Sequence, residues 1–218
     1  SRYGNSGNNA ITGTSQGGET LSGREGNDVL DGSGGADRLL GGDGDDTLTF
    51  DAADTALDGG KGVDTLNLSG NIDFSGLDQI SNMEQLDMSG NNIADVLTVG
   101  FEDLFDLVGD NSLSGLFGDS EDQAKVVVIN GDLEDTLILA GQDVRNQAPT
   151  KTNIDLYGDG SSYALFQDTS LGIDVYVLST LLGSESESSI TESSALTADL
   201  SSLDSYLHGH SFDAFGGI

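Results

Sequence analysis

Carboxylates return along this chain at multiples of nine residues. Asp28, Asp37, Asp46 and Asp64 hold the same place in successive nine-residue units, and Glu19 and Asn9 hold the equivalent place upstream. In the unit Phe50 to Asp58 that place falls on Thr55, with Asp54 beside it. If two units make one coil of a solenoid, residues eighteen apart lie above one another. Asp28, Asp46 and Asp64 then form one column; Glu19, Asp37 and Thr55, with Asp54 alongside, form the other. Carboxylates stacked in adjacent coils repel strongly unless a cation neutralises them. The chemistry that suits them is capture of a hard, oxygen-loving ion. Ca²⁺ takes about six to eight oxygens from carboxylates and carbonyls, whereas Mg²⁺ demands stricter octahedral geometry and gives up water reluctantly.

The elements that position these carboxylates are written in the same period. Gly23 to Thr49 reads GREGNDVLD, GSGGADRLL, GGDGDDTLT, and Gly59 to Asn67 reads GGKGVDTLN. Gly4 to Thr12 and Thr14 to Ser22 are weaker copies, offset by an inserted Gly13. Glycine at the first, second and fourth places admits positive φ, so six residues make a tight turn. Three residues then make a short strand whose middle side chain points inward. That middle residue is Ile11, Leu21, Leu30, Leu39, Leu48, Leu57 or Leu66, aliphatic in every copy. A flexible Gly/Asp-rich linker has no need of an aliphatic residue at every ninth position. The expected fold is all-β: a calcium-bound parallel β-roll whose ladder of aliphatic side chains lies between two sheets.

Composition agrees with that chemistry. The chain has 218 residues, 38 acidic against 7 basic, for a formal charge of −31. Such a chain does not bind nucleic acid or an anionic membrane by electrostatics, and it should repel itself until cations bind. The 32 glycines are about twice ordinary usage. With no cysteine, disulfides and thiolate zinc sites are excluded. No signal-peptide pattern opens the chain, and no apolar run is long enough to span a bilayer. The chain begins almost inside the repeats and reads as the C-terminal piece of something longer, monomeric in itself.

Three regions are expected: the roll over residues 1–67, a β-rich extension and cap over 68–182, and a C-terminal segment over 183–218. The extension offers strands at Thr65 to Leu68, Gln85 to Met88, Val96 to Val99, Lys125 to Asn130, Thr136 to Leu139, Asn153 to Tyr157, Tyr163 to Gln167 and Ile173 to Leu178. Asp64-Thr-Leu-Asn-Leu, Asp95-Val-Leu-Thr-Val and Asp135-Thr-Leu-Ile-Leu share one pattern, as if the stack continued in looser form. Phe101 to Val108 has helical spacing, and its apolar face is expected to be core. Beyond Gly183, a Ser/Glu-rich linker precedes an amphipathic helix carrying Leu196, Leu200, Leu203 and Leu207.

The repeats resemble those of RTX proteins, which Gram-negative bacteria export through type I secretion systems. The middle region, with Leu86-Asp87-Met88-Ser89-Gly90 and Asp174-Val-Tyr-Val, is similar to the C-terminal ends of giant RTX adhesins of the biofilm or ice-binding type. The resemblance implies several calcium ions between turns. Asp28, Asp37, Asp46 and Asp64 would be side-chain ligands, helped by turn carbonyls near Gly26, Gly35, Gly42, Gly44, Gly60 and Gly62. Glu19, Asn9 and Asp54 complete the set, with sites weakened or missing where Asn9 and Thr55 depart from the pattern. It also implies a C-terminal secretion signal over 183–218 and partnership with the type I machinery and a parent adhesin chain. The protein would then be extracellular, at the cell surface, and unfolded until it meets external calcium.

No catalytic motif accompanies this pattern. H-E-x-x-H is absent, and Gly160-Ser-Ser-Tyr-Ala fails as a nucleophile elbow. The two histidines, His208 and His210, lack companion ligands nearby. A non-enzymatic role is expected; the alternative is the C-terminal domain of a secreted RTX protease or lipase whose catalytic part lies upstream.

Overall fold

The short aliphatic strands expected in each unit are present and pair in parallel two units apart: eighteen residues on from Leu21 to Leu66, nineteen at the inserted Gly13, where Ile11 aligns with Leu30. In a computed structural model the described residues are 1–91, 93–109, 124–154, 156–157 and 160–182. Residues 110–123, and from residue 183 the expected linker, the amphipathic helix and both histidines, lie outside them. Residues Ser1 to Gly183 make up one compact unit.

One sheet of the roll contains, in order, Arg2–Tyr3, Thr20–Glu25, Arg38–Asp43, Ala56–Lys61 and Ile80–Ser81. The facing sheet begins with Ala10–Thr12, Val29–Asp31, Thr47–Thr49 and Thr65–Asn67. Leu21, Leu39 and Leu57 are in register on the first, and Leu30, Leu48 and Leu66 on the second. All six are fully buried, and each buried leucine contributes about 1.5–3 kcal/mol of apolar burial.

The two sides are not equivalent, which corrects the expectation of six-residue turns throughout. On the first side the strand runs on through the next unit's opening residues, so it is six residues long rather than three. Glycine makes this possible. Gly42 and Gly60 stay paired in the sheet at φ +128 and +106, and a Cβ there would overlap the carbonyl oxygens of Arg24 and Gly42 respectively. The coils approach too closely for any side chain at these places.

The stack does not end at residue 67. Leu66 aligns with Leu86, Leu86 with Ile129 and Ile129 with Val177, so one aliphatic ladder crosses from roll to extension. A third sheet joins Asn71–Asp73, Val96–Val99, Thr136–Leu139 and Gln142–Asp143, with Ile72, Leu97 and Leu137 in register. The far end of the nine-stranded sheet turns antiparallel through Ile173–Leu178, Tyr163–Asp168 and Lys151–Ile154. That last strand lies earlier than the expected Asn153 to Tyr157. Lys125–Asn130 reads as an unbroken apolar run because both its faces are covered. Val127 and Ile129 face the main core, while Val126 and Val128 pack with Tyr163, Leu165 and Tyr176. Of the face expected from spacing, Phe101, Leu104, Phe105 and Val108, the helix Phe101–Leu107 buries Leu104 and its C-cap Val108 in the core. Phe101 and Phe105 pack against that core part-buried, and Leu107 joins it unforeseen. The helix's last carbonyls, of Phe105 and Val108, accept from Lys125 Nζ at 2.8 and 2.7 Å.

Candidate metal centre

Each column is joined by one repeated contact: the backbone N–H of a column residue donates to a carboxylate oxygen in the coil above. Asp28 N donates to Asp46 Oδ1 and Asp46 N to Asp64 Oδ1, both at 2.7 Å, and Asn9 N donates to Asp28 Oδ1 at 2.6 Å. In the second column Glu19 N donates to Asp37 Oδ1 at 2.8 Å, and Asp37 N to Asp54 Oδ1 at 3.0 Å. Asp54 therefore fills the rung where the nine-residue count pointed to Thr55. Thr55 instead donates through both its N–H and its hydroxyl to the Asp37 carbonyl, at 2.7 and 2.8 Å. Asp54 sits one residue earlier and reaches the rung from the turn.

The second oxygen of each carboxylate decides what the columns can do. Oδ2 of Asp28, Asp37, Asp46, Asp54 and Asp64 is buried and has no hydrogen-bond partner. These five residues are at most 4% exposed. An unpaired buried carboxylate oxygen is costly, and here five recur in two lines. Burial pushes the Asp46 carboxyl up to about 6 and Asp64 up to about 7, reinforced for Asp46 by Asp28 and for Asp64 by Glu84 and Asp46. Burial also raises Asp54. Protein cations do not relieve them: the ion pairs among the described residues are Arg2–Glu19, Lys61–Asp43 and Arg145–Asp143.

Carbonyls complete the oxygen-rich setting. A Cβ placed on Gly23 would fall on Asp28 Oδ2 and lie 2.7 Å from the Gly41 carbonyl oxygen; one on Gly41 would fall on Asp46 Oδ2 and the Gly59 carbonyl. Gly23 and Gly41 thus leave free the space where their own unit's carboxylate meets a carbonyl of the next coil, whereas Gly32 faces only its own unit's Asp37. The turn glycines named from the family pattern also lie against the neighbouring coil. A Cβ on Gly44 would overlap the Gly26 carbonyl, and one on Gly62 the Gly44 carbonyl, while Gly35 packs on Gly17. Among the described residues no three His, Cys, Asp or Glu side chains gather closely enough to hold a metal by themselves. A cation here would take carboxylates from stacked turns and complete its shell with main-chain oxygens, the donor set that suits Ca²⁺.

The upstream ends of the columns differ. Asn9 Oδ1 accepts from Asn5 N at 2.7 Å. Glu19 Oε2 accepts from Thr14 N and Thr14 Oγ1 at 2.5 and 2.9 Å, contacts that hold its carboxyl below the usual range. Both find protein donors within their own turns, unlike the Oδ2 atoms of the five aspartates.

Three features escape the nine-residue count. Glu84, only 3% exposed, tops the first column: Asp64 N donates to its Oε2 at 2.9 Å. Its spacing of twenty from Asp64 hides it, although Glu84-Gln-Leu-Asp-Met repeats the form of Asp64-Thr-Leu-Asn-Leu. A second rail runs through the fifth place, where Asn8, Asn27 and Asp45 side chains accept from Asn27, Asp45 and Val63 N–H groups. The third sheet carries a rail of its own: Gly70 N donates to Asp95 Oδ1, and Asp95 N to Asp135 Oδ1. There the second oxygens are closed by protein donors, Asn91 Nδ2 on Asp95 and Asp132 N on Asp135, both at 2.6 Å. The shared Asp-x-Leu pattern marks shared backbone geometry, but among the described residues the buried carboxylate oxygens without partners all lie in the roll.

Fold and site together define a parallel β-roll whose coils are lined with oxygens for a hard divalent cation. Residues 14–48 match the family model of the RTX calcium-binding nonapeptide repeat, which spans four copies. No curated protein and no solved structure matches the chain. The chain thus carries RTX calcium-binding repeats, and the roll continues beyond the matched segment through Asp54 and Asp64.

Proposed function

We propose that this chain is the calcium-dependent folding and export module at the C-terminus of a large secreted bacterial surface adhesin, with no catalytic role of its own. In the cytosol, where calcium is scarce, the chain stays unfolded and can be threaded through a type I secretion channel; outside, calcium lets it fold. The observation that carries this reading is the set of five buried Asp Oδ2 atoms without partners. Their cost disfavours the folded roll without cations, and bound calcium would supply the missing positive charge. Extracellular calcium modules bind at about 10⁻⁴ to 10⁻³ M, and where the unfolded chain has no site, binding free energy becomes folding free energy. The RTX repeat match supports calcium binding and a secreted setting. The adhesin assignment rests on the likeness of the middle region to adhesin C-termini. Among the described residues no helix is long and apolar enough to cross a membrane.

Hydrogen exchange during a calcium titration tests this directly. Amides of Val29–Asp31, Thr47–Thr49 and Thr65–Asn67 should be unprotected in chelator and gain protection in one steep transition at about 10⁻⁴ to 10⁻³ M calcium. Full protection of these strands in excess EGTA would end the proposal.

A further inference from the structure

The first column runs past the last nonapeptide, and its final rung is built from residues outside the repeat pattern. The coil that follows Gly59–Asn67 reproduces the oxygen arrangement of the roll with different side chains. At Gly41 the cradle is formed by Asp46 Oδ2 and the carbonyl of Gly59. At Gly59 it is formed by Asp64 Oδ2, 2.6 Å from where a Cβ would stand, and by the carbonyl of Asn82. Asn82 takes the place of the opening glycine of a unit, the counterpart of Gly59, but unlike Gly41 and Gly59 it adopts φ +54, a left-handed conformation that asparagine tolerates better than most residues. Its Nδ2 donates to Asp58 Oδ1 at 2.6 Å, which ties this coil to the end of the unit Phe50 to Asp58. Glu84 takes the place of the aspartate. The coil is longer, with twenty residues between rungs instead of eighteen, and the extra methylene of glutamate lets the carboxylate reach the Asp64 N–H. Asp64 is fully buried, and its Oδ2 has no partner.

We propose that Asp64 Oδ2, the Asn82 carbonyl and the Glu84 carboxylate form a divalent-cation site at the junction of roll and extension. The inference rests on the calcium-binding reading of the roll and carries it one coil further. The ion class is the hard, oxygen-seeking one that suits the rest of the column, Ca²⁺ first. Its consequence is mechanical continuity. Strand Gln85–Asp87 pairs with Thr65–Asn67 on one side and Lys125–Asn130 on the other, so an ion at this rung makes the extension's attachment to the roll depend on calcium as well.

The test uses the full chain and Glu84→Gln, which keeps the size of the side chain and an acceptor for the Asp64 N–H but removes the charge. Bound calcium per chain, measured by atomic absorption after gel filtration in calcium buffer, should fall by one ion. The calcium midpoint for amide protection of residues 80–87 should rise at least about fivefold, with a smaller rise at Val29–Asp31. Glu84→Asp, with charge kept but reach shortened, should fall between the two. Anomalous scattering from crystals of the unaltered chain grown in calcium supplies a readout that no variant's misfolding affects: an ion beside Asp64, Asn82 and Glu84 is expected. The site is refuted if those crystals hold ions between Asp28, Asp46 and Asp64 but none there, or if Glu84→Gln binds the same calcium at the same midpoint. A roll indifferent to calcium in the unaltered chain would instead overturn the function on which the site depends.

Discussion

At the scale of single residues, the five aspartates show how one side chain can do two jobs. Oδ1 is structural, accepting a backbone N–H from the coil below, and Oδ2 has no protein partner and is the atom the proposed calcium would take. The metal-free roll should therefore respond to pH in the sense opposite to most acidic proteins. Asp64 and Asp46 titrate near 7 and 6 in the folded chain, above the ordinary 3.8. The folded state thus holds more protons than the unfolded one between about pH 4 and 7, and stability falls as pH rises through that window. In chelator the roll, unprotected at pH 8, should gain measurable exchange protection at pH 5, where Asp46 and Asp64 are protonated. With calcium the order reverses, because the ion competes with those protons and its apparent affinity should drop as pH falls below about 7. Equal protection in chelator at the two pH values would show that the burial of these carboxylates is not what destabilises the metal-free roll.

At the scale of the element, the long side of the roll depends on glycine more than its short side does. Gly60 combines φ +106 with a neighbouring-coil carbonyl where a Cβ would be. Gly60→Ala forces either a shift of backbone or a break in the pairing of Arg38–Asp43 with Ala56–Lys61. The expected cost is about 1–3 kcal/mol, read as a lower melting temperature in saturating calcium. Gly90, whose φ is also positive, has open space around it, so Gly90→Ala carries backbone strain alone and should cost less. The exposed Lys61–Asp43 pair on the same strands, at 2.8 Å, contributes little, since both side chains are mostly in water.

At the scale of the molecule, one aliphatic ladder unites two kinds of solenoid. The roll leaves its second carboxylate oxygens open; the extension closes the corresponding oxygens of Asp95 and Asp135 with Asn91 and Asp132. Arg145 adds a nearby positive charge, its Nη2 donating to the Asp135 carbonyl and its Nε to that of Leu181. Asp135→Asn should consequently leave the number of bound calcium ions unchanged while lowering thermal stability, because an amide does not serve both the Asp95 and Asp132 N–H groups as well as a carboxylate. A calcium count reduced by this substitution would mean that the third rail also holds metal.

The nine-residue period by itself determined the roll, the inward leucines and four of the five column aspartates, because strand alternation and coil height are local consequences of residue type and spacing. Apolar strand patterning, independent of that period, marked the strands at Val96, Lys125, Thr136 and Ile173, which need no long-range information. Tertiary structure alone decided the rest. Asp54 rather than Thr55 fills its rung because a turn can lend a side chain from one residue earlier, which counting along the chain does not reveal. Glu84 joins the column because a longer coil is offset by a longer side chain. Asp95 and Asp135 share the ligand pattern, yet their oxygens are already occupied, since whether a buried carboxylate awaits a cation depends on which donors the neighbouring coil brings within reach.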